Sequence, residues 1–309
     1  MKPDMRVRLC GMELRNPIIA ASGTFGYGVE FEEILSLDRI GGFVTKGLSR
    51  EPMPGNEAPR IIETTAGMIN SIGLQNMGVA AFIAEKLPAL RRYKDTVCIA
   101  NVFGYKVEDY VAVIERLNDA EGIVAYELNV SCPNVHEGGM TFGADAGALE
   151  YLVARAKQAS KRPLIVKLSP NVTSVAHMAR IAALAGADAI SLINTFLGMA
   201  IDAETRQPEI RNVTAGLSGP AIKPIALRMV YETAKAVAIP ILGMGGIVTA
   251  EDAVEFLLAG ATAVQVGTAS YADPRAVERL VKELESWCKS HNVERAASLT
   301  GGLTIPWQG

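Results

Sequence analysis

The chain has 309 residues, of which 49% are hydrophobic, 20% charged and 6% aromatic, and its net charge is −3. This is the make-up of a globular protein with a large aliphatic core and argues against a disordered chain. With no basic excess and no run of Lys and Arg it is a poor nucleic-acid binder, and no apolar stretch approaches the roughly 20 residues of a membrane span.

The opening segment, MKPDMRVRLCG, mixes charged and apolar residues and reads as neither a signal peptide nor an anchor, so a cytoplasmic protein is expected. Residues 7–9 and 12–14 alternate around Cys10-Gly11 and predict a small hairpin. Beyond it, short β-branched apolar runs alternate with longer stretches of helical period, the pattern of a parallel sheet built from βα units. Eight strands are predicted, at 17–23, 41–47, 97–104, 125–132, 163–170, 189–195, 239–246 and 263–269. Helices are predicted at 79–93, 107–119, 148–160, 175–185, 222–238, 250–259 and 274–291. Eight strands suit a closed (β/α)8 TIM barrel better than an open doubly wound sheet, and the first strand ends AASGTFGYG rather than in a dinucleotide fingerprint. One domain over 1–309 is expected, with the hairpin plugging the barrel bottom. Three connections, 48–93, 130–147 and 196–220, are long and rich in Gly, Pro or Asn. Each follows the C-terminal end of a strand, the face on which barrels build active sites, so a lid is expected there.

The strand ends carry the chemistry. In order they offer Ser22, Thr45-Lys46-Gly47, Asn101, Asn129-Val130-Ser131-Cys132, Lys167, Asn194-Thr195, Gly245-Gly246 and Gly267-Thr268. One polar strand end means little, but such residues at every end are hard to attribute to a scaffold, because a buried lysine needs a partner. Gly243-Met244-Gly245-Gly246-Ile247 and Gly267-Thr268-Ala269 put small residues where backbone N–H groups can approach a phosphate. Tight turns are the plainer account of either site alone, and a phosphate does not separate phosphosugar from flavin enzymes. Lys167 closes the apolar run Leu164-Ile165-Val166, where an ammonium calls for an anionic or electron-rich partner such as the pyrimidine edge of a reduced flavin. Lys46 has a similar setting and suits the flavin or an anionic substrate.

The four cysteines, Cys10, Cys98, Cys132 and Cys288, form no C-x-x-C pair and should be reduced thiols. Cys10, Cys98 and Cys288 read as small buried hydrophobes. Cys132 lies in NVSCPNVHEGG, where Pro133 stiffens the chain and Gly138-Gly139 offer a hinge. An accessible thiolate there suits a base or a nucleophile; a structural loop cysteine and a Cys132–His136 dyad are the alternatives.

Four segments are more specific: Asn70-Ser71-Ile72-Gly73-Leu74-Gln75-Asn76, Asn129-Val130-Ser131-Cys132-Pro133-Asn134-Val135, Ile193-Asn194-Thr195 and Gly216-Leu217-Ser218-Gly219-Pro220-Ala221. Through them the chain resembles, over essentially its whole length, the class 1 dihydroorotate dehydrogenases, and within these the class 1B branch. The resemblance implies FMN-dependent oxidation of (S)-dihydroorotate to orotate in pyrimidine biosynthesis. It puts Ser22, Lys46, Gly47, Asn101, Asn129, Lys167, Ile193, Gly219, Gly245, Gly246, Gly267 and Thr268 on FMN-binding positions. It puts Lys46, Asn70, Ser71, Ile72, Gly73, Leu74, Asn129, Asn194 and Thr195 on positions that hold the substrate ring and its carboxylate, and Cys132 on the catalytic base. Asparagine amides, a lysine and backbone N–H groups agree with this, since they satisfy a small polar anion without a metal.

The subclass follows from two further features of the resemblance. Class 2 enzymes use serine as base and carry a membrane-associating N-terminal extension, whereas here the base position is Cys132 and no extension is read. Class 1A enzymes, which reduce fumarate, usually continue the cysteine loop with Pro-Gly-Lys, whereas this loop reads His136-Glu137-Gly138-Gly139. Class 1B implies a homodimer core within a heterotetramer, completed by a second subunit that carries FAD and an iron–sulfur cluster and passes electrons to NAD. The chain has no cluster-binding cysteine spacing of its own. A dihydropyrimidine dehydrogenase-like flavin barrel is the neighbouring alternative.

Overall fold

The computed structural model describes residues 2–131 and 142–306. Parallel strands close into a barrel in chain order: β1 (Ile18–Ala20), β2 (Gly42–Val44), β3 (Val97–Val102), β4 (Ala125–Asn129), β5 (Leu164–Lys167), β6 (Ala189–Leu192), β7 (Ile241–Met244) and β8 (Ala263–Val266), with β8 pairing back onto β1. These are the eight expected strands, each shorter than its apolar run, and the fold is a (β/α)8 TIM barrel. Nearly every strand residue is buried, because helices cover the outside while side chains fill the inside. That is why the strands read as continuous apolar runs rather than as alternating ones.

The outer layer holds α1 (Val107–Asn118), α2 (Ala146–Ala159), α3 (Val175–Leu184), α4 (Lys223–Ala234), α5 (Ala250–Leu258) and α6 (Ala276–Ser290), preceded by a helical run at Gly78–Ala81, Phe82–Lys86 and Leu87–Leu90. α1 shows why these segments are helical: Val107, Tyr110, Val113, Ile114 and Leu117 fall on one face and are buried there. Helix starts are fixed locally, as where Asp145 accepts from the Ala148 N–H at 2.7 Å and Thr249 and Asp252 cap each other. Between β1 and β2 the barrel has two short turns, Val29–Phe31 and Leu37–Arg39, in place of a long helix. Aromatic packing fills that gap, with Phe25 stacked on Phe31 at 4.0 Å between ring centroids.

The N-terminal hairpin is present, Val7–Leu9 against Met12–Leu14, and both turn residues have positive φ (Cys10 +49°, Gly11 +80°), as two-residue hairpin turns require. Its Val7, Leu9 and Leu14 pack against Ile19, Ile99, Ala125, Ile165, Ala189, Leu242 and Ala263. These residues belong to the first halves of the barrel strands, so the hairpin does plug the bottom, as expected. Two residues further along, the same inward positions turn polar: Asn101, Glu127, Lys167, Ser191 and Gln265, all buried.

The helix expected at 79–93 appears as the run from Gly78 to Leu90, and the long segments 48–93 and 196–220, where a lid is expected, build a second sheet. Its four antiparallel strands run in the order Phe196–Met199, Thr214–Ser218, Gly67–Asn70, Ile61–Thr64. The strands are short and their central partners come from loops far apart in the chain, so no local periodicity announces them. Among the described residues no helix is long and apolar enough to cross a membrane.

Candidate active site

The polar layer is the floor of the site. Glu127 on β4 is fully buried; its Oε1 accepts from Asn101 Nδ2 at 2.8 Å and its Oε2 from Ser191 Oγ at 2.9 Å and Gln265 Nε2 at 2.7 Å. Bonds that join β4 to β3, β6 and β8 have to cross the barrel interior. Lys167 Nζ lies 4.0 Å from Glu127 Oε1, so the anionic partner that Lys167 needs is in part supplied by the protein itself. The sequence reading missed this carboxylate. At the neighbouring strand ends, Ser22 Oγ donates to the Thr45 carbonyl at 2.7 Å, and Thr45 Oγ1 accepts from the Asn101 N–H at 3.1 Å.

Above the floor, the residues expected at the substrate converge. Asn194 Nδ2 donates to Asn129 Oδ1 at 3.3 Å, and the Tyr110 hydroxyl holds the Asn129 carbonyl at 2.9 Å. Asn70 ends a lid strand opposite Gly216 and donates to its carbonyl at 3.4 Å, while a Cβ added at Gly216 would lie 2.3 Å from Thr195 Oγ1. The lid sheet thus carries Asn70 to the side of Thr195. Segment 71–74 is held by Asn56, whose Nδ2 donates to the Ser71 carbonyl at 3.0 Å and whose N–H donates to the Ile72 carbonyl at 3.0 Å, and it turns at Gly73 and Leu74 with φ of +72° and +55°. Asn171 pins the other wall, donating to the Thr195 carbonyl at 3.0 Å and accepting from the Leu197 N–H at 3.0 Å. Beside it a cavity of about 590 Å³ opens between Ala144, Pro170, Val172, Thr173 and Phe196.

Lys46 is half-buried, with its N–H on the Gly26 carbonyl at 2.7 Å. Burial, reinforced by the nearby Arg60 guanidinium and opposed by Glu30, holds its ammonium below the usual lysine range. An anion placed there would offset both desolvation and repulsion. Arg60 itself ties the 70–76 segment, through Gln75 Oε1 at 2.9 Å and through its carbonyl, which accepts from the Ser71 N–H at 2.8 Å.

The glycine sites meet at the ends of β7 and β8. Gly219 and Gly246 have φ of +101° and +79°, and a Cβ at 246 would stand 2.7 Å from the Gly219 carbonyl oxygen. Thr268 Oγ1 donates to Ser218 Oγ at 2.8 Å, which joins the end of β8 to the lid strand that runs into Gly219. Gly245 lies beside Ile193, whose peptide with Leu192 is cis; a Cβ at 245 would be 3.6 Å from Ile193 Cγ1. Gly267 is different: its φ is ordinary and an added Cβ would meet nothing nearer than Ala21 Cβ at 3.5 Å. Neither backbone nor packing demands glycine at 267, which leaves open an approach to the main chain from the rim. Asn101 Oδ1 and Gln265 Oε1 are buried without a protein partner among the described residues. Glycine-lined main chain after β7 and β8, together with unpaired acceptors and a lysine in the polar floor, fits a phosphorylated, hydrogen-bonding ring cofactor such as FMN.

Cys132, the candidate base, and residues 133–141 lie outside the described residues. The other cysteines are poor nucleophiles: burial pushes the Cys10 thiol up to about 12 and raises those of Cys98 and Cys288. Among the described residues no cluster of His, Cys, Asp and Glu is arranged to hold a metal.

A closed barrel with a polar floor, a woven lid and a glycine-lined rim has the form of a (β/α)8-barrel enzyme that builds its site on the C-terminal face. The chain belongs to the dihydroorotate dehydrogenase family, whose model matches residues 4–287. A relative from Solibacter usitatus, named putative dihydroorotate dehydrogenase A (fumarate), is 56% identical over 303 residues, which cover 98% of this chain and 99% of the relative. Relatives named dihydroorotate dehydrogenase B (NAD(+)), catalytic subunit, include one from Pelobacter propionicus, 55% identical over 303 residues, and one from Geobacter sp. (strain M21), 54% identical over 304 residues. Each of these two again covers 98% of this chain and 99% of the relative.

Proposed function

We propose that the chain is the catalytic subunit of a cytoplasmic, NAD-linked dihydroorotate dehydrogenase, binds one FMN and oxidises (S)-dihydroorotate to orotate. The observation that carries this reading is the meeting of Asn70, Asn129, Asn194 and Thr195, from three separate stretches of chain, above Lys167 and the buried acceptors. Asparagine amides can donate and accept at once, which a pyrimidine ring with alternating N–H and C=O groups needs on both edges. Lys46, short of an anionic partner strong enough to offset its burial, suits the ring carboxylate. Lys167 and Asn101 would hold the flavin ring, and Gly219, Gly246, Gly267 and Thr268 its phosphate.

FMN, when bound, supplies the two-electron acceptor for a hydride leaving the substrate. The protein's part is to orient the ring, to exclude water beneath the lid sheet, and to take a proton from the adjacent ring carbon through the Cys132 thiolate. A cysteine near its free pKa of about 8.5 suits that role, because the base must be deprotonated before it acts.

A partner subunit with FAD and an iron–sulfur cluster, in a heterotetramer built on a homodimer of this chain, would take the electrons onward. The relative named for fumarate favours a second reading, in which this chain reduces fumarate without such a partner. Copurification from the native source separates the two: a flavin- and cluster-bearing partner with NAD reduction supports the first, and fumarate reduction by the isolated chain supports the second. Anaerobic mixing of the yellow protein with dihydroorotate should bleach it. Bleaching by dihydrouracil instead would make it a dihydropyrimidine dehydrogenase-like barrel.

A further inference from the structure

We propose that Glu127 is a positioning residue, which fixes the charge and hydrogen-bond polarity of the chamber floor and thereby sets how readily the bound flavin is reduced. The inference deepens the functional reading above and rests on it.

Inward positions of such barrels are usually filled by branched aliphatic side chains. Here a fully buried carboxylate sits at the centre of the layer that includes Asn101, Lys167, Ser191 and Gln265. Both its oxygens act as acceptors, the role of an ionised carboxylate, and Lys167 Nζ is the cation beside it at 4.0 Å. A buried ion pair of this kind is often no better for stability than well-packed hydrophobic residues of similar volume, so stability alone does not account for it.

Two consequences follow from the geometry. Asn101 and Gln265 both spend an amide NH2 on Glu127, so their carbonyl oxygens are left as buried acceptors without a protein partner among the described residues. Glu127 therefore dictates that the floor offers acceptors to N–H groups of a ring above it. The second consequence is electrostatic. Alone, Lys167 would be a full cation at the floor and would strongly favour an electron-rich ring; the neighbouring carboxylate tempers that pull.

The test uses the FMN-loaded protein in equilibrium with a reference redox dye. Glu127→Gln removes the negative charge at constant volume, so the equilibrium should move at least about tenfold toward reduced flavin, equivalent to about 30 mV for a two-electron couple. The substituted amide also faces two donating NH2 groups with only one acceptor oxygen, so one amide must turn over, and FMN binding by the apoprotein should weaken. Glu127→Asp keeps the charge and should shift the dye equilibrium far less. An unchanged equilibrium in Glu127→Gln, or an equal shift in Glu127→Asp, overturns the proposal, because packing and not charge would then be responsible. Should Glu127→Gln fail to fold or to hold FMN, Ser191→Ala decides. It removes one donor from the carboxylate and leaves the ion pair, so the equilibrium should move the opposite way, toward oxidised flavin; no shift, or a shift toward reduced flavin, refutes the idea. If the native protein takes up no FMN at all, the functional reading falls and carries this inference with it. If it takes up FMN and the variants behave alike, only this inference falls.

Discussion

Gly216→Ala offers a sharp test of the lid geometry. The backbone at 216 is not in the left-handed region, so alanine carries no conformational penalty there. The obstacle is Thr195: the added methyl would stand 2.3 Å from its Oγ1 and 2.8 Å from its Cβ, where unstrained contacts lie at about 3.5–4.0 Å. Either Thr195 or the lid strand has to give way by about 1 Å, a misplacement of the scale that costs about 10²-fold in rate. That factor corresponds to about 2.7 kcal/mol in kcat/KM for dihydroorotate. The nearest neighbours of this methyl are all atoms of Thr195 and not of the glycine sites after β7 and β8, so the FMN content should stay near the native level. The measurement is steady-state kcat/KM alongside the flavin absorbance of the purified variant. Gly198→Ala is the control, since its added methyl would come no closer than 3.2 Å, to Leu217 Cβ. A folded, yellow Gly216→Ala enzyme with native kcat/KM would show that Thr195 does not act at the substrate.

Three other outcomes are expected. Lys46 carries a lowered pKa because of burial, so orotate affinity measured by titration should fall as pH rises through a value below the ordinary 10.5 of lysine. The linkage runs the other way for stability: the folded state binds the Lys46 proton less well than the unfolded chain, so this residue's contribution improves with rising pH across that alkaline window, and Lys46→Met should raise the Tm of the ligand-free protein while weakening orotate binding. Cys132→Ala should keep FMN but slow its anaerobic reduction by dihydroorotate by about 10²-fold or more, and Cys132→Ser should regain part of that rate toward high pH. Leu9→Ala, in the hairpin beneath the barrel, should cost about 2–5 kcal/mol in urea unfolding and leave kcat unchanged, because it opens a cavity under the apolar layer and touches nothing at the rim.

The barrel was legible in the sequence because parallel strands buried on both faces leave unbroken apolar runs, and most of these runs stop at a polar residue. The same stops pointed to Lys46, Asn101, Asn129, Lys167 and Asn194, which is why a list of strand ends came close to a list of site residues. The lid sheet was hidden for the opposite reason: Gly67–Asn70 and Thr214–Ser218 are partners only after folding, and each alone resembles a glycine-rich loop. Asn56, Arg60 and Asn171 act by holding main chain in that loop region, and nothing in their local sequence marks them. Glu127 was findable. It stands two residues before Asn129 on the same strand, and the two-residue period puts it on the same inward face, where a carboxylate inside an apolar run is already out of place.

The lid is plaited from two excursions, one leaving β2 and the other leaving β6, and the pocket wall exists only where they cross. Neither excursion encloses anything alone. Swapping a single one between related barrels, to redirect which small anion is accepted, should therefore give a chain without a working pocket, and substrate preference should move only when both pieces travel together.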